Sequence, residues 1–210
     1  MKKYLFASLV CLGLINSAWA NPISLGLTSG IDFASQSIIG LQPGITQNVL
    51  VGYTGGLFVD LNLSDNFSIQ PEANFTMKGT GFTISNIDGI AVNTTQTQTF
   101  NYLEFPLLVK LRLPLAPELK VFLLAGPSVA LLLQEVTSLA SGGSSHSADS
   151  TKYYPSTDWG LIFGGGLELQ NFILDIRYDF GLSSNSPSYA PGQNALVNGV
   201  LSAQLGYRIF

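Results

Sequence analysis

The chain predicts an all-β fold: an eight-stranded antiparallel up-and-down transmembrane β-barrel. Three observations carry this. Charges at strand-like positions share one side of their strand. The chain is only 10% charged, against about 25% for a soluble domain. Yet it has no uninterrupted apolar run near the roughly 18 residues of a transmembrane helix.

The first observation is the strongest. Successive strand side chains point to opposite faces. In FILDIRYDFGL, Phe172, Leu174, Ile176, Tyr178, Phe180 and Leu182 share one face; Ile173, Asp175, Arg177, Asp179 and Gly181 share the other. In YLEFPLLVKLRL, Leu103, Phe105, Leu107, Val109, Leu111 and Leu113 oppose Glu104, Lys110 and Arg112. Glu72 agrees with Lys78, and Asp158 with Glu168. Chance gives such agreement within strands about once in 64. A lipid-facing Lys or Arg near the midplane costs roughly 2–4 kcal/mol, so a barrel must turn its charges inward.

Met1 to Ala20 reads as a cleaved signal peptide: Lys2 and Lys3, an apolar stretch from Leu5 to Ile15, then Ala18-Trp19-Ala20 as an A-x-A cleavage site. The barrel domain is then 21–210. Cys11 lies in the apolar stretch after Val10, where a lipoprotein signal would have a small residue. The mature chain is therefore expected to carry no thiol, disulfide or cysteine metal site. Nine basic residues less Lys2 and Lys3 leave seven against thirteen acidic, a net of −6. With no basic patch, a nucleic-acid partner has no support.

The eight strands run at about 23–35, 49–63, 67–78, 97–113, 119–133, 157–169, 172–183 and 196–209. The short connections are Ser64-Asp65-Asn66, a Pro114–Glu118 turn and Gln170-Asn171; the long ones are about 36–48, 79–96, 134–156 and 184–195. Short periplasmic turns alternating with longer outer loops are the outer-membrane pattern, and an even strand count puts both termini on the short-turn side. The strands exceed the roughly 9–11 residues needed to cross a bilayer. The fifth strand is apolar on both faces. VFLLAGPSVALLL within it is too short for a helical span, and Pro127 interrupts it.

Aromatics with lipid-face parity fall near strand ends: Phe67, Phe172 and Tyr207 near short turns, and Phe33, Tyr53, Phe75, Trp159 and Phe180 toward the long loops. Interfacial aromatic belts account for them. The last strand, LSAQLGYRIF, ends on Phe210, one residue out of phase with Tyr207. A terminal aromatic after an alternating strand resembles the signal by which bacterial outer-membrane barrels are recognised for assembly.

YLEFPLLVKLRL with VFLLAGPSVALLL, WGLIFGGGLELQNFILDIRYDFGLS, NFSIQPEANFTMKG and the ending LSAQLGYRIF resemble the small outer membrane beta-barrel, or porin-family, proteins sometimes labelled PorT-like. The resemblance covers nearly all of the mature chain. It implies an eight-stranded outer-membrane barrel of the OmpX type in a Gram-negative bacterium, and no single activity.

The expected lumen holds Asp32, Asp60, Glu72, Glu104, Asp158, Glu168, Asp175 and Asp179 with Lys78, Lys110, Arg112, Arg177 and Arg208. An eight-stranded barrel is just wide enough for side chains to fill, and an unpaired buried charge is expensive. A salt-bridged plug is the expected arrangement; an ion pathway or polar ligand site is the alternative.

His146, the only histidine, lies in SGGSSHSADS beside Ser144, Ser145, Ser147 and Asp149. Base-activated nucleophilic attack would use those residue types, but a Ser-rich loop offers no rigid positioning. One histidine and no mature cysteine exclude the usual zinc sites, and loop acids such as Asp88 and Asp149 lack calcium-loop spacing. No cofactor and no enzymatic activity are expected. Four N-x-[ST] triplets begin at Asn62, Asn66, Asn74 and Asn93; inward parity at Asn62 and Asn74 leaves no room for a glycan.

The function expected is therefore a structural or surface-interaction role in the outer membrane. Solute or ion transport through the lumen is the alternative, and a lipid-acting hydrolase a more distant one. The expected partners are outer-membrane lipid, the barrel assembly machinery during biogenesis, and an extracellular partner reached by the long loops. TTQTQT at 94–99 would extend a strand beyond the membrane and offer an edge for β-augmentation. A monomer is expected.

Overall fold

The computed structural model describes residues 23–37, 44–87, 90–184 and 197–210. Ten strands are found there: β1 (Ile23–Ser37), β2 (Ile45–Asn48), β3 (Leu50–Asn62), β4 (Phe67–Ile87), β5 (Ile90–Ala116), β6 (Leu119–Ser141), β7 (Ser144–Asp149), β8 (Thr157–Leu169), β9 (Phe172–Gly181) and β10 (Val197–Arg208). Eight of them pair antiparallel in the ring β1-β3-β4-β5-β6-β8-β9-β10, which the β1–β10 ladder closes. Closure matters because it leaves no ring strand with unpaired backbone groups facing lipid.

Alternation sets the two faces. Along β9 the burial alternates without a break, with Ile173, Asp175, Arg177, Asp179 and Gly181 inside. Outside, residues such as Ile31, Leu107, Leu123 and Ile176 are exposed around the ring. Aromatic pairs join neighbouring strands on that face. Tyr53 stacks on Phe75 at 5.4 Å, and Phe172 meets Tyr207 edge-on at 5.2 Å. Such an apolar belt is stable against hydrocarbon and not against water.

Several boundaries differ from the sequence reading. The expected loop 79–96 is largely strand: β4 and β5 continue to Ile87 and from Ile90. Most of the expected loop 134–156 is strand too. There β6 reaches Ser141, β7 pairs back onto it, and a single 3-10 turn covers Thr151–Tyr153. Gly142 and Gly143, both at positive φ (57° and 84°), make the two-residue turn between them. That geometry suits a hairpin turn and is strained for residues with a Cβ. The expected loop 36–48 contains β2. The expected Pro114–Glu118 turn narrows to Pro117 and Glu118, because β5 runs to Ala116. The seventh expected strand ends at Gly181, not 183. The signal-peptide segment 1–20 lies outside the described residues, as does nearly all of the expected loop 184–195.

The extensions form a second structure. Beyond the ring, β2, β4, β5, β6 and β7 pair in that order as a five-stranded outer sheet. Two local features mark where it leaves the barrel. Gly79 on β4 has φ 141°, and a Cβ there would lie 2.1 Å from the Gln98 carbonyl oxygen. On β6 the register passes from Leu132 (opposite Tyr102) to Gln134 (opposite Asn101), leaving Leu133 as a bulge. Bulges and glycines commonly re-aim strands at barrel rims.

Candidate functional site in the barrel lumen

The lumen collects the chain's buried charge. Asp32, Asp60, Glu72, Lys78, Glu104, Lys110, Arg112, Asp158, Glu168, Asp175, Arg177 and Asp179 are all buried. Arg208 lies at the edge, its side chain 21% exposed. Twelve of these thirteen residues fall into three ion-pair groups.

The first group lies toward the short turns. Arg112 donates from Nη2 to Asp60 at 2.5 Å and from Nε to Glu168 at 2.9 Å. Its Nη1 donates to Ser68 Oγ at 2.8 Å. Lys110 reaches Glu168 at 2.8 Å and lies 4.3 Å from the centre of the Phe122 ring. Arg208 approaches Glu168 and Asp60 at 3.3 and 3.5 Å. Three cations thus share two acids.

The second group centres on Arg177, which pairs with Glu72 at 2.8 Å and with Asp175. Gln70 and Asn74 donate to Glu72 at 2.5 and 2.7 Å. Gly164, opposite Arg177 on β8, makes room for it, since a Cβ there would lie 2.7 Å from the arginine Cβ. In the third group Lys78 reaches Asp179 at 2.5 Å, Glu104 at 2.9 Å and Asp158 at 3.7 Å. Asp158 also accepts from Ser183 and Asn198. Among the described residues Asp32 joins no cation; Thr76 and Ser202 donate to it at 2.9 and 2.6 Å.

Apolar side chains fill what the charges leave. Phe58, Leu108, Phe122, Leu124, Ile162 and Ile173 form one buried cluster. This explains why the fifth expected strand is apolar on both faces: Phe122 and Leu124 point in and Leu123 points out. At the outer end Phe100, Tyr102 and Ala130 cluster, with Leu132 and Tyr154 packed on them. Phe100 meets Tyr154 edge-on at 5.0 Å, and Gln98 donates to the Tyr154 hydroxyl. Burial pushes that hydroxyl above the ordinary tyrosine pKa, and the charge of Glu135 adds to the effect.

Two charged residues of this interior escape the sequence reading. Glu135 is fully buried, its register partner being Phe100. Even-numbered residues of β6 face inward up to Leu132; the bulge at Leu133 reverses the parity and brings Glu135 in. No period-two rule finds it. Lys120 lies opposite Glu168 and lines the short-turn mouth. Its even parity, shared with Phe122, was the available signal. The mouth opens into a recess of about 370 Å³, which reaches inward as far as Arg112 and Glu168.

Phe210 lines this recess while Tyr207 is on the exposed face, as their opposite parity requires. His146 stands on β7 opposite Leu139. Strand alternation puts it on the face away from Ser145, Ser147 and Asp149. Asp149 instead accepts from the Thr151 hydroxyl at 2.6 Å and the Thr151 amide at 3.0 Å. These bonds hold its carboxyl below the usual aspartate pKa.

Solved structures similar to this chain include three outer-membrane proteins. Ail, the attachment invasion locus protein of Yersinia pestis, solved with the heparin analogue sucrose octasulfate, is 14% identical; the match covers 89% of this chain and 97% of that one, with a TM-score of 0.39. Neisserial surface protein A is 14% identical over 89% and 97%, with a TM-score of 0.41. OprG from Pseudomonas aeruginosa is 16% identical over 89% and 94%, with a TM-score of 0.40. No curated protein matches this chain in sequence. The family model for the outer membrane protein beta-barrel domain matches residues 16–186, so the chain belongs to that family of outer-membrane barrels.

Proposed function

We propose that the protein is a closed barrel with a structural and surface-display role, and not a conduit or an enzyme. One observation carries this reading: the interlocked charge network and apolar cluster occupy the lumen, and the mouth recess ends at Arg112 and Glu168. Opening a path would expose or separate buried ion pairs, and breaking one such pair by removing a partner costs about 3–5 kcal/mol. The outer sheet supports the display role. Its Thr-, Gln- and Ser-rich strands carry hydrophilic side chains, and β7 is exposed along its whole length with one edge unpaired among the described residues. An extended segment of an extracellular partner would add to that edge through main-chain hydrogen bonds. Outer-membrane lipid covers the apolar belt, and the protein works as a monomer after its signal peptide is removed. The opposite facing of His146 and Asp149 favours the non-enzymatic reading.

The test is planar-bilayer conductance of the purified, folded protein. The expected result is a silent membrane at concentrations where a general porin gives steps. Reproducible, ion-selective steps from the wild-type protein would refute the closed lumen and transfer the function to transport.

A further inference from the structure

Lumen charge is unevenly distributed. The short-turn group has three cations for two acids, and at the mouth Lys120 adds a fourth cation and Asp65 a third acid. Further in, Lys78 and Arg177 face six acids: Asp32, Glu72, Glu104, Asp158, Asp175 and Asp179. Positive charge is therefore concentrated where the lumen meets the periplasm.

Much of that charge is unspent. Among the described residues the Lys120 ammonium has no hydrogen-bond or ion-pair partner. Arg208 Nε is buried without an acceptor. Its Nη2 has only the long contacts to Asp60 and Glu168, whose oxygens already accept closer bonds from Arg112 and Lys110. Both cations line the recess of about 370 Å³, which the turn residues Ser64 and Asn171 border at its mouth. That volume is within the range of roughly 300–1,000 Å³ for small-ligand pockets. Guanidinium presents a planar fork of donors suited to carboxylate and phosphate, and ammonium adds a point charge. Asp65 is the opposing charge on the rim.

We infer that this recess is a binding site for a small periplasmic oxyanion, a carboxylate- or phosphate-bearing molecule held between Lys120 and Arg208. The occupant enters from the periplasm and stops at the Arg112–Glu168 pair, so the site needs no open lumen. It does not depend on the surface-display reading.

The experiment is a nuclear magnetic resonance titration of the folded protein in lipid nanodiscs, following the Arg208 Nε–H signal. One arm uses inorganic phosphate and the other N-acetyl-alanyl-alanine, each at constant ionic strength set with chloride. The expected result is a saturable shift with one or both probes, and the tighter probe identifies the source chemistry. Lys120→Gln should weaken that binding about tenfold, the loss of one charge-assisted contact. Asp65→Asn should tighten it. Heat-modified gel mobility reports whether each variant is folded, and Lys120→Gln and Asp65→Asn alter rim side chains outside the ion-pair groups. No saturable shift with either probe, or equal affinity in wild type, Lys120→Gln and Asp65→Asn, would overturn the assignment.

Discussion

Replacing Lys78 with Met tests the lumen network at its most exposed point of logic. Among the described residues Lys78 is the sole cation within 4 Å of Glu104, Asp158 and Asp179, at 2.9, 3.7 and 2.5 Å. All four side chains are at most 8% exposed. Met keeps most of the aliphatic volume and removes only the charge. Three buried carboxylates then lose their counter-ion. Asp158 retains Ser183 and Asn198 as donors, whereas Asp179 Oδ1 already lacks one. Removing one partner of a buried pair costs about 3–5 kcal/mol, and three acids around one lysine place this case at the upper end. The assay is urea unfolding from lipid vesicles, read by heat-modified gel mobility. The expected result is a loss of at least about 3 kcal/mol. The reasoning fails if Lys78→Met stays within about 1 kcal/mol of wild type.

Two further predictions concern the outer sheet. Gly79→Ala puts a Cβ at φ 141° and 2.1 Å from the Gln98 carbonyl oxygen; it should cost about 1–3 kcal/mol and lower the temperature of the gel-mobility shift, while an unchanged temperature would mean that β4 adapts at no cost. The Asp149 carboxyl, held low by Thr151, contributes to the Thr151–Tyr153 turn at any pH above the ordinary aspartate value of about 3.9, and that contribution is lost as pH falls through its lower folded value. The Thr151 amide shift should therefore titrate below the ordinary aspartate range, and a midpoint at or above that range would count against the bond.

The barrel was legible because one physical rule acts along each strand. A charge facing lipid near the midplane is costly, which puts Glu104, Lys110 and Arg112 on one face, and Asp175, Arg177 and Asp179 likewise. The outer sheet was less legible. TTQTQT at 94–99 was expected to extend a strand beyond the membrane, and β5 includes it, but the segment has no apolar face to set its neighbours. Its β-branched threonines were the remaining signal, and that signal says nothing about which strand will pair with it. Glu135 was out of reach altogether, because a one-residue bulge inverts parity and leaves no mark in the alternation before it.

Pairing within the lumen is the clearest division between the two levels. The sequence by itself determined that the charges turn inward, since face depends only on alternation and on the cost of charge in lipid. It could not determine that Arg177 would take Glu72, 105 residues away, or that Lys78 would gather three acids while Asp32 gathered none. Those partners depend on the stagger of the strands around the closed ring. Only the tertiary structure fixes that stagger, through ladders between strands distant in the chain, such as β1 with β10. The same stagger concentrates positive charge at the short-turn mouth, because it brings Arg112, Lys120 and Arg208 from three strands to one end of the lumen.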